Sequence, residues 1–326
     1  MGNSCLDQLS CCDKEAARQQ CFAASDWIVE NHTMQRLTKK LVPFAYLSPT
    51  ILLLTVLSLI PITMVFYYSL MDNVIMNENP VFVGLANYVE IVLDDVFQQA
   101  IANTLFFTLV SVVFHLILGL SFALLLNTKL LDPLTKALFR MVYVLPWVFT
   151  ATIIAILWRL MLNPNGVINY ILLSLGLVSE QIEWLSSRQL ALSAVTFINI
   201  WAGYPFYMVS LLAGLQGIPE ELYEAGTIDG ANGRQLFRYI TIPQLKPIII
   251  SLAMLDFIWT MHQFTLIWMT TGGGPIRATE MLSTFTYKLA FSSYEFSMAS
   301  TSAFVILVLS MIVALFYVRN QRASDE

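Results

Sequence analysis

The sequence predicts an all-α integral membrane protein: a bundle of six transmembrane helices with both the N- and C-termini cytoplasmic. Three observations predict it. The chain is 57% hydrophobic and only 12% charged, with a mean hydropathy of +0.68, where a soluble domain carries about 25% charged residues. Six apolar stretches match the ~20 residues a helix needs to cross a bilayer; they lie at about 41–70, 101–126, 138–162, 190–215, 248–271 and 299–318. Alternating ten-residue strands, the signature of a barrel, are absent, and in lipid a helix satisfies its own backbone groups.

The basic residues orient these spans. Of the 17 Lys and Arg, only Arg159, Arg188, Arg277 and Lys288 fall on the side away from the N-terminus. The positive-inside rule then puts both termini and the long 217–247 loop in the cytoplasm. Residues 71–100 agree, with Asp72, Glu78, Glu90, Asp94 and Asp95 but no Lys or Arg.

Residues 1–40 read as a polar cytoplasmic segment, 41–319 as the transmembrane domain and 320–326 as a cytoplasmic tail. All four cysteines (Cys5, Cys11, Cys12 and Cys21) lie in the first segment. Their spacing fits no common zinc pattern and reads as reduced cytoplasmic thiols. The M-G-N-S-C-L start departs from a myristoylation signal at Leu6. No apolar core precedes Leu41, so no signal peptide is expected. One hypothesis is that translation begins at Met34, where a short basic run leads into the first span. Peptides from residues 2–33 in N-terminal sequencing of the native protein would overturn it.

The 217–247 loop is built with unusual care. Pro219 followed by Glu220 and Glu221 starts a helix. That helix runs to about Asp229, and Gly230 ends it in a left-handed conformation. Asn232 caps a second helix over 233–240, which Pro243 closes. Leu222, Ala225 and Gly226 share one face; Leu236, Phe237 and Ile240 share another. From these residues alone, the pair fits lying on lipid headgroups as well as docking against a partner.

Resemblance separates the two. E-A-G-T-I-D-G-A followed by I-T-I-P-Q-L-K-P resembles the EAA signature of binding-protein-dependent ABC importer permeases. Glu224, Ala225, Asp229, Gly230, Ala231 and Pro243 match it. Gly226 stands where Ala is usual, which implies a slightly looser helix, since Gly costs about 1 kcal/mol relative to Ala. Ile242 replaces the usual Leu. F-V-G-L-A-N-Y (82–88) with Asn103 and Thr104, and T-G-G-G-P (271–275) with Thr279 and Tyr287, resemble carbohydrate-importing permeases of the maltose type. The resemblance covers nearly the whole chain from about residue 40.

The resemblance implies cytoplasmic coupling helices between the fourth and fifth spans. Leu222, Glu224, Ala225, Gly226, Asp229, Gly230 and Ala231 would dock on a separate ABC ATPase dimer. It also implies a second permease subunit, an extracytoplasmic solute-binding protein and a bacterial inner-membrane location. Transport would proceed by alternating access, and the small polar solute would be a sugar or a relative such as a glycerol phosphodiester. The chain has no G-x-x-x-x-G-K-[ST] loop, glycines 272–274 being followed by Pro275. No cofactor is therefore expected in this chain, with ATP and Mg bound by the partner ATPase.

Polar groups inside spans are costly and tend to face a cavity or a partner. In the fifth span Asp256, Trp259, Thr260 and Gln263 follow i, i+3, i+4, i+7 spacing. One helix face thus offers a carboxylate, an indole, a hydroxyl and an amide, the chemistry a sugar needs. The substrate contacts of maltose-type permeases fall on this face of the span that resembles it. Asp256 departs from the family's pattern there, and pairing with a cation on the second permease is its alternative role. His262, beside this face, reads rather as a packed histidine bonded to another helix. In the fourth span Pro205 is expected to break or kink the helix. Gly203, Tyr204 and Tyr207 are secondary pathway candidates, the tyrosines and Asn199 being equally suited to packing. Pro146 reads as a kink, and Tyr143, Trp147, Trp158 and Trp184 as interfacial anchors.

Two rival classes are weighed against this. In an ion-gradient-driven secondary transporter, Asp256 and His262 would form a proton relay. A membrane enzyme finds little support, because the three His (His32, His115 and His262) are dispersed and no Ser/His/Asp or H-E-x-x-H arrangement is visible. No basic patch supports a nucleic-acid partner.

Overall fold

The computed structural model describes residues 42, 44, 46–128 and 132–322. The expectations for residues 1–40, their cysteines, the Met34 start and the end of the tail lie outside them. In chain order the helices are α1 (Tyr46–Ser69), α2 (Ala86–Leu93), α3 (Asp95–Asn127), α4 (Pro133–Val148), α5 (Ala151–Met161) and α6 (Val167–Ser174). They continue as α7 (Ala191–Gln216), α8 (Glu220–Ile228), α9 (Gly233–Met261), α10 (Thr265–Thr270), α11 (Leu282–Phe291) and α12 (Phe296–Arg322). No strand forms among the described residues; one β-bridge joins Met71 and Phe82.

α1, α3, α7, α9 and α12 are each long and apolar enough to cross a membrane. The third apolar stretch differs from expectation. Instead of one helix over 138–162, α4 and α5 meet at 97°. Pro146 withdraws a donor from the last turn of α4. Phe149 is then extended, and the Thr150 hydroxyl caps a new helix by accepting from Ile153 N. Five helices pass by length and composition among the described residues, and up to six if this bent pair is one span.

Two other prolines do not interrupt their helices. Pro205 lies inside an uninterrupted α7. Pro243 does not close the second loop helix; α9 runs through it, from Gly233 in the loop to Met261 deep in the bundle. A π-helical segment at Phe237–Thr241 precedes the proline, and Ile242 N bonds to Phe237 O five residues back. This wide turn gives the ring room where an α-turn would press it on a carbonyl. The fifth stretch also ends early. α9 stops at Met261, and α10 begins after a break at 262–264.

Within residues 65–326, α3, α7 and α9 form the central layer. Ala123, Leu126, Tyr207, Leu211, Leu215 and Leu245 pack together in it. Small residues set the spacing, as they do where membrane helices approach closely. A Cβ on Gly119 would lie 2.3 Å from Tyr207 Cβ and 3.0 Å from the Met208 nitrogen. A second cluster joins α5, α7 and α10 through Trp158, Ile198 and Leu266. Trp158 is therefore a core residue and not an interfacial anchor. Trp184 is partly buried and donates to Asn169 Oδ1.

The two outer sequence motifs are structural clasps. Asn87 donates to the carbonyls of Ser69 and Met71, both at 2.9 Å, tying the end of α1 to α2. Asn103 donates to the carbonyls of Ala278 (3.2 Å) and Glu280 (3.0 Å), while Thr104 Oγ1 accepts from Leu282 N at 3.0 Å. The T-G-G-G-P turn folds over the buried Glu280, which is paired with Lys288. A Cβ on Gly273, whose φ is 88°, would lie 2.6 Å from Glu280 Oε2. That close approach requires glycine there.

Because the α3–α7 contact at Gly119 is backbone-close, Gly119→Val is expected to force the two helices apart. The cost is about 3 kcal/mol or more, read as a lowered unfolding temperature of the detergent-solubilised protein.

Candidate functional site

A cavity of about 270 Å³ opens between α3, α4, α5, α7 and α9. Four of the side chains singled out in the fifth stretch line it: Asp256, Trp259, Thr260 and Gln263. Gln263 does so from the break after α9, so the four do not share one continuous helix face. From α7 come Asn199, Ala202, Gly203 and Phe206, from α3 His115 and from α4 Trp147. Trp147 is thus a cavity residue rather than an anchor. The rings of Trp147, Phe206 and Trp259 follow one another at 6.0 and 5.5 Å, giving the cavity an aromatic wall.

Its polar side is a hydrogen-bonded chain across three helices. His115 Nδ1 meets Asp256 Oδ2 at 2.8 Å, and His115 Nε2 meets the Asn199 carbonyl at 3.0 Å. Thr260 donates to Asp256 Oδ1 at 2.9 Å, and the Asn199 amide donates to Ser111 Oγ at 2.9 Å. All five residues are buried. Asp256 therefore has its counterpart within this chain. His115 was missed in the sequence because a lone histidine in an apolar run carries no local signal; its partners lie 84 and 141 residues away.

Gly203 lines the cavity and also makes room for the imidazole, since a Cβ there would lie 2.4 Å from His115 Nε2. Tyr204 and Tyr207 do not line it. Tyr204 donates to the Tyr143 carbonyl at 3.1 Å. Tyr207 is fully buried beside His115, its hydroxyl without a hydrogen-bond partner among the described residues. His262 sits apart, with its ring nitrogens at Ile258 O (2.7 Å) and Ser310 Oγ on α12 (3.2 Å). The Asp256–His262 relay of the rival reading is not assembled.

The loop forms a helical hairpin of α8 and the start of α9. Gly230, at φ 80°, donates to Thr227 O (3.0 Å), and Ala231 N donates to Gly226 O (2.9 Å). This pair of bonds is a Schellman termination, which needs the left-handed glycine. Asn232 and Gln235 form a reciprocal capping box. Gly226 faces into the hairpin: a Cβ there would lie 2.7 Å from Leu236 Cδ2. It is a packing position between the two helices, not a looser point on an outer face. Leu222, Glu224, Ala225 and Asp229 remain exposed. The Tyr223 hydroxyl and Thr241 Oγ1, 2.9 Å apart, tie α8 to the π-helical segment of α9.

Gly203→Ala is expected to push the imidazole off its two partners. A loss of about 1–3 kcal/mol should appear as a lower unfolding temperature, with a larger loss for Gly203→Val.

Helices long and apolar enough to cross a membrane, around a cavity with a buried polar node and an aromatic wall, together with a capped hairpin in a connecting loop, are the build of a membrane permease. The chain belongs to the family described as binding-protein-dependent transport system inner membrane component, whose model matches residues 115–324. It is 34% identical to a probable ABC transporter permease protein, YurN, of Bacillus subtilis, over 88% of this chain and 98% of that protein. It is also 34% identical to the trehalose/maltose transport system permease protein MalF of Thermococcus litoralis, over 90% of this chain and 99% of that one. Its fold matches a chain of a bacterial ABC transporter involved in the import of the acidic polysaccharide alginate, with a TM-score of 0.76 and 22% identity, covering 90% and 99% of the two chains. The chain is thus a multi-pass inner-membrane component of an ABC transporter. It is a transport subunit and not the catalytic one.

Proposed function

We propose that the chain is one of two permease subunits of an importer that carries a sugar or a similar small polar solute. The observation that carries this reading is the continuity of α9, which begins in the hairpin and ends at the cavity residues Asp256 and Thr260. At 1.5 Å per residue it is a rod of about 40 Å. A movement imposed on the hairpin therefore reaches the cavity without crossing a loop.

In this reading the protein has six spans, both termini are cytoplasmic, and the bent α4–α5 pair supplies the third span. Leu222, Glu224, Ala225 and Asp229 meet a separate ATPase dimer, which binds ATP and Mg. Gly226, Gly230 and Ala231 hold the shape of the surface it meets. Closure of the ATPase swings α9 and switches the cavity between the two sides of the membrane. An extracytoplasmic solute-binding protein delivers the solute. Asp256, Thr260 and Gln263 bond its hydroxyls, and Trp259 and Phe206 cover its C–H faces. The trehalose/maltose relative supports the sugar assignment.

Glu224→Lys reverses a charge on the exposed face, and Gly230→Asp puts a side chain at the left-handed position. Both are expected to abolish solute uptake and solute-stimulated ATP hydrolysis by the reconstituted assembly, while the chain still inserts into membranes. Normal uptake by both variants would refute the docking role.

A further inference from the structure

We infer that His115 sets the charge selectivity of the solute site, and that the site takes an uncharged polyhydroxy solute. The inference rests on the solute-site reading above and narrows it. The Asn199 carbonyl can only accept, so the Nε2 facing it at 3.0 Å carries a proton. Nδ1 and Asp256 Oδ2, 2.8 Å apart, need one more proton between them, because two bare acceptors would repel. Whether that proton sits on nitrogen or oxygen, the pair sums to zero charge. The His115 side chain is 2% exposed and that of Asp256 10%, so each is compensated by the other and not by water.

The rest of the wall that this chain supplies adds no charge. Among the described residues, His115 and Asp256 are the only titratable ones lining the cavity, and no Lys or Arg is among them. An anionic solute would shed its hydration against this wall with no cation of the chain to receive it, which is costly. An uncharged one meets the Asp256 oxygens, the Gln263 amide and the rings of Trp147, Phe206 and Trp259. The chemistry separates neutral sugars from the glycerol phosphodiesters that the sequence left open.

The test uses the permease–ATPase assembly in nanodiscs, without the binding protein, so that only the membrane site selects. Paired probes are added: trehalose and trehalose 6-phosphate, maltose and maltobionate, glucose and glucuronate. Binding is read from tryptophan fluorescence, since Trp147 and Trp259 line the cavity. The neutral member of a pair is expected to bind and the anionic one not. His115→Gln leaves a buried carboxylate without its counterpart and is expected to weaken binding about 100-fold or more. The double variant His115→Gln/Asp256→Asn, neutral again, is expected to regain most of it.

An anionic probe that binds as well as its neutral partner overturns the inference, as does a double variant no better than His115→Gln. If no probe binds wild type, the sugar-site reading fails. Unfolding temperatures of the same variants then decide the charge pair. A double variant above His115→Gln supports it, and one at or below overturns it.

Discussion

His115 bonds two other spans at once, and its side chain, 2% exposed, has no water to replace either bond. An unpaired polar group in such a place costs more than the bond itself is worth in water. The ring therefore acts as a spacer as well as a partner. It holds Asp256 on α9 and the Asn199 carbonyl on α7 at fixed distances from α3. Gly203 leaves room for the ring, and Gly119 lets α3 and α7 come close enough to enclose it. The cavity exists because these three helices are held together by polar bonds on one side of it and spread by aromatic rings on the other.

The same node lies on the helix that joins the hairpin to the cavity. α9 carries Leu236 and Ile240 against Gly226 at one end and Asp256 against His115 at the other. Tyr223 grips Thr241 between them. On the outer side, Asn103 and Thr104 anchor the turn that follows α10, so α3 serves as the fixed post for the segments on either side of the break at 262–264.

Much of this was legible in the chain because it depends on local chemistry. Apolar length located the spans, and Pro219, Gly230 and Asn232 located the hairpin, its termination and its second cap. Asp256, Trp259, Thr260 and Gln263 marked the cavity through polarity in an apolar setting. What was not legible depends on contacts between distant residues. His115 gains meaning only from Asn199 and Asp256. Gly226 looked like a weak point until Leu236 and Ile240 were seen against it. Prolines were legible only in part: Pro146, which reads as a kink, precedes a sharp bend, while Pro205 and Pro243 sit in continuous helices. A proline's effect depends on the turns around it, and a π-helical turn leaves no mark in composition.

The π-helical turn at Phe237–Thr241 has a consequence for angular phase. Each residue of an α-helix advances the side chains by about 100°. A π-turn takes up one extra residue over nearly the same rotation. Wound as plain α-helix, the same residues would present the hairpin about 100° further round the axis relative to Asp256. The number of residues in that segment and its wide winding are therefore matched. A one-residue deletion there can be absorbed by tightening to α geometry with the phase kept. A one-residue insertion has no such remedy and would turn Asp256 away from His115 whenever the hairpin is held in place.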